Sequence, residues 1–174
     1  MEQRSTRRQS ILYTLFCTAA TLFWALIPHP WGATPLLGMT LASRRSASIV
    51  GSLSLLIPAI AHDLFFGFHA TSIWVYASLF LIALLRTTSL FSSIKSVAAA
   101  LAFFTITNFG VWYSTALYPL TWKGLVICYC AGLPYLSSLI ASTLVTTYLC
   151  AFLQKRISYL TIKNAFSTLI QTWS

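Results

Sequence analysis

Residues 96–117 read SVAAALAFFTITNFGVWYSTAL, a run without a single Asp, Glu, Lys or Arg. A helix needs roughly 20 apolar residues to cross a hydrocarbon core of about 30 Å, and this run is long enough. Lys95 stands just before it, and Tyr118-Pro119 ends it, because proline lacks a backbone donor and restricts the residue before it. Within the run, Thr105, Asn108, Trp112 and Thr115 fall on one helical face. Polar groups at such depth face a bundle interior or a water-filled cavity. Two readings of Asn108 stand: an interhelical hydrogen bond, or the floor of a ligand cup.

The whole chain agrees with this stretch. Of 174 residues, 57% are hydrophobic and 7% charged, and mean hydropathy is +0.78. A soluble domain carries about a quarter charged residues, so there is too little charge here to cover a water-facing surface. The composition excludes an ordinary cytosolic enzyme, a disordered tail and a nucleic-acid-binding module, despite a net charge of +9. Excess positive charge on so apolar a chain orients it in a membrane.

Outward from residues 96–117, the other spans follow from apolar runs and their breakers. Residues 11–27 form helix 1, behind a basic N-terminus at 1–10 carrying Arg4, Arg7 and Arg8. A signal peptide has this outline too, but Pro28-His29-Pro30 is a poor cleavage site, so the helix is expected to be retained. Residues 34–43 are too few to cross alone, which makes helix 2 short or re-entrant. Helix 3 is expected over 46–66 with a kink at Pro58, helix 4 over 71–85, and helix 5 over 96–117. Residues 121–153 exceed one straight span, so Pro134 is expected to divide an outer segment from helix 6. The fold expected is all-α and integral to the membrane, with one six-helix domain at 11–153. The tail at 154–174 places Ile162, Phe166, Leu169, Ile170 and Trp173 at amphipathic spacing, suited to the interface or to capping the bundle.

Charge gives the direction. Arg4, Arg7, Arg8, Arg44, Arg45, Arg86, Lys95, Lys155, Arg156 and Lys163 fall on one side of this arrangement, and Lys123 alone on the other. By the positive-inside rule both termini are cytoplasmic, as in a multi-pass protein of a bacterial cytoplasmic (inner) membrane. The opposite side then collects His29, His62, His69 and Asp63, with Trp24, Trp31, Trp74, Trp112 and Trp122. An aromatic belt explains tryptophans at interfaces but does not predict so lopsided a set. A belt alone, or a belt with a ligand cup, remain the two readings. His62, Asp63 and His69 match no regular metal spacing, and neither a metal nor another cofactor is expected. Cys128-x-Cys130 points its thiols apart on a helix, and Cys17, Thr21 and Ala25 form a small-residue stripe for an internal contact or a partner. No G-x-S-x-G, no H-E-x-x-H and no phosphate-cradling loop is present.

Several stretches occur in a familiar order: Ile27-Pro28-His29-Pro30, Thr34-Pro35, His62-Asp63-Leu64, Gly67-Phe68-His69, Val75-Tyr76 and Phe103-Phe104. Thr107-Asn108-Phe109-Gly110-Val111-Trp112, Tyr118-Pro119-x-Thr121-x-x-Gly124-Leu125, Cys128-Tyr129 and Pro134-Tyr135 follow. Over 27–153 the chain resembles an uncharacterised family of small bacterial integral membrane proteins. Departures include His62 where the family often has Ser, Gly32-Ala33 in place of Asn-Phe, and Pro134-Tyr135-Leu136 in place of Pro-Phe-Phe. That family is in turn similar to the substrate-binding (S) subunits of energy-coupling-factor vitamin transporters. The resemblance implies six helices, an outward cup, and contact with a transmembrane coupling subunit that works with ATPases.

Three functions are therefore set against one another. The leading one is a non-enzymatic binding and uptake subunit for a small water-soluble nutrient: a vitamin, a cofactor precursor or a metal chelate. His29, Asp63 and His69 would make polar contacts, Trp112 and Tyr118 would stack on the ligand, and Asn108 would bond it from below. The second is a structural or assembly protein docking an extracytoplasmic partner. The third, an intramembrane enzyme with His29 or His69 as base, has no visible nucleophile. Beyond lipid, a small molecule and a coupling subunit are the partners expected, and nucleic acid is not.

Overall fold

The computed structural model describes residues 2–28, 30, 32–43, 53–85 and 92–173. His29, Trp31, Arg44, Arg45, Arg86 and the first part of the expected helix 3 lie outside the described residues, as do the side chains of residues 157–173 that carry the tail pattern. Among the described residues there are six α-helices and no strand. They are α1 (Glu2–Leu26), α2 (Leu36–Ala42), α3 (Ile57–Phe66), α4 (Ser72–Leu85), α5 (Ser92–Ser114) and α6 (Trp122–Trp173), with a 3-10 turn at Ser54–Leu56 before α3.

Prolines place most of the boundaries. α1 stops two residues before Pro28. α2 starts after Pro35, where the Thr34 hydroxyl accepts the Leu36 N–H at 3.3 Å. Pro58 stands in the first turn of α3 rather than at a kink. The missing N–H costs nothing there, because first-turn donors have no intrahelical partner. Pro134 behaves differently from expectation. α6 runs through it and on across residues 153 and 154 as one helix of 52 residues. The group left without its helical donor is the Cys130 carbonyl, one turn before Pro134, and a proline inside an apolar helix is tolerated when neighbouring groups take up such a freed position.

α2 is as short as its sequence requires, about 10 Å of helix. It is surrounded by other helices, with Leu36 to Thr40 buried, and packs chiefly against α6 and also against α4, α5 and α1. Gly38 permits this. A Cβ there would stand 2.7 Å from Thr147 N and 2.8 Å from the Thr143 carbonyl oxygen of α6. The main core joins Leu36 and Leu37 of α2, Ala59 of α3, Leu79 and Ile82 of α4, Ala99, Ala100 and Phe104 of α5, and Leu139 of α6.

Beside the buried leucines and Ile82, the interior holds many small and hydroxylated residues, and much of the surface is large and apolar. Ser78, Ala83, Ser96, Ala99, Ala100 and Thr143 have no exposed surface, while Leu12, Phe16, Phe23, Phe65, Val145 and Phe152 are exposed. Buried hydroxyls are satisfied internally: Thr143 donates to the Leu139 carbonyl, Thr147 to that of Thr143, and Ser96 to Thr147 Oγ1 at 3.1 Å. Small and hydroxylated residues inside with large apolar ones outside is how helices pack in lipid, where burial of bulk gives no advantage. α5 and the 122–156 part of α6 are long and apolar enough to cross a membrane; the apolar lengths of α1, α3 and α4 fall short of that criterion.

Candidate functional site

Two polar features stand out, and they are separate. The first is built on the turn between α3 and α4. Gly67, at φ 99°, ends α3 in a conformation that L side chains rarely adopt, and the chain reverses to bring His69 and Ser72 back over Asp63. Asp63 is 5% exposed. Its Oδ2 accepts the Ser72 hydroxyl at 2.7 Å and the Tyr76 hydroxyl at 2.6 Å, and its Oδ1 lies 3.1 Å from His62 Nδ1. His69 Nδ1 is 3.9 Å from Oδ2 and 2.6 Å from Ser72 Oγ. These donors replace the water that burial removes from the carboxylate.

Donor accounting orders the protons. Ser72 has one hydroxyl hydrogen, and it goes to Asp63; Ser72 Oγ therefore accepts both from His69 Nδ1 and from the His69 backbone N–H at 3.2 Å. His62 likewise donates from Nδ1 to the carboxylate. The His69 side chain is 55% exposed. The sequence of contacts is carboxylate, serine, histidine. In a nucleophilic triad the serine gives its proton to histidine, so this order does not activate Ser72. Among the described residues, no three His, Cys, Asp or Glu side chains are placed to hold a metal ion.

The second feature is a cavity of about 400 Å³ where α5 crosses α6. Phe103, Phe104, Thr107 and Asn108 form its α5 wall, and Gly132, Tyr135 and Leu139 its α6 wall. Gly32, in the loop before α2, borders it, and its φ of 82° and its contact with Tyr135 both exclude a side chain there. Asn108 Nδ2 donates to the Phe104 carbonyl at 2.8 Å, which directs Oδ1 toward Gly132. A Cβ on residue 132 would stand 2.5 Å from that oxygen. Glycine at 132 thus keeps the amide accessible. Among the described residues, no charged side chain lines the cavity.

Of the candidates chosen from sequence, Asn108 lines the cavity, Asp63 and His69 meet in the first cluster, and His29 lies outside the described residues. Trp112 turns to the α5–α6 connection, where Nε1 donates to the Pro119 carbonyl at 3.0 Å and the indole packs on Phe109. Tyr118 sits half-buried in that connection and is not part of the cavity lining. Trp74 of α4 packs against Gly110, donates to Ser114 Oγ at 2.7 Å and meets Phe109 edge-on. Ser72 and Tyr76 were missed as partners of Asp63, although Tyr76 lies one helical turn beyond Ser72. The α6 wall was missed as well; Gly132, Tyr135 and Leu139 follow i, i+3, i+7, the spacing of one helical face.

Two of the three residues of the small-residue stripe on α1 are turned to the interior, and Ala25 is half-buried. Cys17 and Thr21 are buried, and Cys17 packs with Met39 of α2 and Cys150 of α6.

A family model described as "Family of unknown function (DUF6580)" matches residues 4–160. Neither a curated protein nor a solved structure matches the chain.

Proposed function

The chain belongs to the DUF6580 family, which brings no activity with it, and we propose that it is a membrane-embedded, non-enzymatic binding and uptake subunit for a small water-soluble nutrient. The observation that carries this reading is the cavity between α5 and α6, held open by glycine on two sides with one carboxamide turned toward it. Its volume falls within the range of small-molecule sites, which are mostly apolar with a few placed polar groups. Aromatic walls from Phe103, Phe104 and Tyr135 suit a flat ring, and the Asn108 carboxamide, with an acceptor and a second N–H, suits a ring edge bearing a donor beside an acceptor. A vitamin or cofactor precursor fits that lining better than a charged metal chelate. The Asp63 cluster would hold the α3–α4 turn at the mouth of the bundle rather than touch the ligand.

The membrane reading rests on the two long apolar helices and on the many large apolar side chains at the surface. In the full proposal six helices sit in a bacterial cytoplasmic membrane with both termini inside. The ligand arrives from the outer side, and a coupling subunit with ATPases drives release, in keeping with the resemblance to vitamin-transporter S subunits.

The test is thermal unfolding of purified protein across vitamins, their precursors and cobalt or nickel compounds. A ligand at 100 times its Kd stabilises the folded state by about 2.7 kcal/mol. One compound class should raise Tm in the wild type and not in Asn108→Ala or Gly132→Leu. If no compound does so, and cells carrying Asn108→Ala take up every compound normally, the binding reading fails and assembly with an extracytoplasmic partner takes its place.

A further inference from the structure

Asp63 is one of two acidic residues in the chain, the other being Glu2. Its carboxylate is buried, while both histidines that reach it are open to the surface. Holding the α3–α4 turn requires donors only; here the donors also stand in a line that leads outward. Asp63 Oδ2 accepts the Ser72 hydroxyl at 2.7 Å, and Ser72 Oγ accepts His69 Nδ1–H at 2.6 Å. Beyond that nitrogen the His69 ring is exposed. Every link between carboxylate and surface can take a proton and give one up: a hydroxyl at its single oxygen, an imidazole at its two nitrogens. Ionisable side chains linked in this way inside membrane proteins mark proton relays.

His62 gives a second contact but a poorer path. Its Nδ1 lies 3.1 Å from Oδ1, longer than either link through Ser72, and its ring packs on Phe66 with centroids 4.8 Å apart. Ser72 is also placed for reversal. It accepts the His69 backbone N–H at 3.2 Å, so one lone pair is occupied whichever way its own hydrogen points. The remaining partner, the Tyr76 hydroxyl, donates to Oδ2 at 2.6 Å from α4. α1 and the 3-10 turn also pack against α3. The titratable residues among the described side chains of α1 are Tyr13 and Cys17, which meet Met39 instead, and the 3-10 turn carries none. Among the described residues, His62, His69 and Tyr76 are thus the titratable groups that face the carboxylate.

We propose that Asp63 is a reversible proton-binding site, filled from the surface through His69 and Ser72. A proton from water forms a bond with His69 Nε2. The His69 Nδ1–H bond breaks as its hydrogen passes to Ser72 Oγ, and the former Ser72 hydrogen passes to Asp63 Oδ2. One H⁺ is gained, no electron is transferred, and Asp63 becomes a neutral carboxyl. Asp63 Oδ2–H then donates to Ser72 Oγ, and the Ser72 hydroxyl donates to His69 Nδ1. The serine oxygen accepts two hydrogen bonds and donates one both before and after, so the line reverses without losing a contact. What changes is charge. The Tyr76 hydroxyl then donates to a neutral carboxyl, and the bond from α4 weakens with the loss of its charge assistance.

The experiment is time-resolved infrared difference spectroscopy of the full chain in detergent after a rapid drop in pH. The carbonyl stretch of a protonated carboxyl should appear in the wild type, be absent from Asp63→Asn and persist in Glu2→Gln. A positioned acid–base side chain speeds proton transfer by about 10²–10⁴-fold. His69→Gln can still hydrogen-bond Ser72 but cannot pass a proton, so its band should rise about 100-fold more slowly. His69→Ala should be equally slow, and free imidazole should restore its rate, which a merely structural His69 would not allow. The proposal is overturned if no Asp63 band appears at any pH where the helical circular dichroism persists. An unchanged rate in His69→Gln, no rescue by imidazole, or as great a slowing in His62→Gln overturns it too. Nutrient binding at the α5–α6 cavity, read by Asn108→Ala, is a separate measurement and stands or falls alone.

Discussion

Asp63 is the residue on which the polar order of the molecule depends. A buried carboxylate is tolerable only while its donors stay in place, and here three side chains from α3 and α4 supply them. Tyr76→Phe removes one charge-assisted hydrogen bond and should cost about 1.5–3 kcal/mol. Asp63→Ala leaves the Ser72, Tyr76 and His62 donors without their acceptor and should cost more, about 3 kcal/mol or above. Equilibrium unfolding in detergent measures both; equal losses for the two variants would mean that Tyr76 alone accounts for the effect of Asp63. At the cavity the decisive residue is the smallest one. In Gly132→Ala the new methyl displaces the Asn108 carboxamide, a movable side-chain end, so Tm should change little while any ligand-induced rise in Tm disappears. Sequence singled out Asp63 and Asn108 because they are rare polar groups in apolar surroundings. Ser72 and Gly132 carry no such contrast, and their roles exist only because a partner lies across from them.

At the scale of elements, α2 and α6 depart most from ordinary expectation. A seven-residue helix cannot stand alone, since helix nucleation is costly and few backbone bonds repay it. α2 persists because other helices surround it, and Gly38 sets how closely it lies on α6. Gly38→Ala meets the α6 backbone at Thr143 and Thr147, which cannot swing away as a side chain would. It should cost about 1–3 kcal/mol, visible as a lowered Tm, whereas Gly67→Ala meets no neighbouring atom and suffers only from its positive φ. The shortness of α2 was legible from Pro35 and from the few apolar residues before Arg44. The continuity of α6 was not. A proline marks a place where a helix gains by ending, and packing on both sides of Pro134 outweighs that local preference.

For the whole molecule, the governing fact is that many large apolar side chains lie on the surface. The proposed orientation makes a definite prediction: reporters fused at the two termini should both read the cytoplasmic side, and opposite readings would refute the six-span arrangement while leaving the two long apolar helices in place. Composition alone pointed toward a membrane, because 7% charged residues cannot cover a surface facing water. Proline and apolar run length determined most helix edges, because both act locally along the chain. Which side chains meet was decided only by tertiary structure. Asp63 finds Ser72 and Tyr76 through a glycine turn, Asn108 faces Gly132 across a helix crossing, and Cys17, Met39 and Cys150 gather from three helices. Periodicity assigns a residue to a face of its own helix. The rotation and crossing of the neighbouring helix, set by small residues packed in the interior, decide what that face meets.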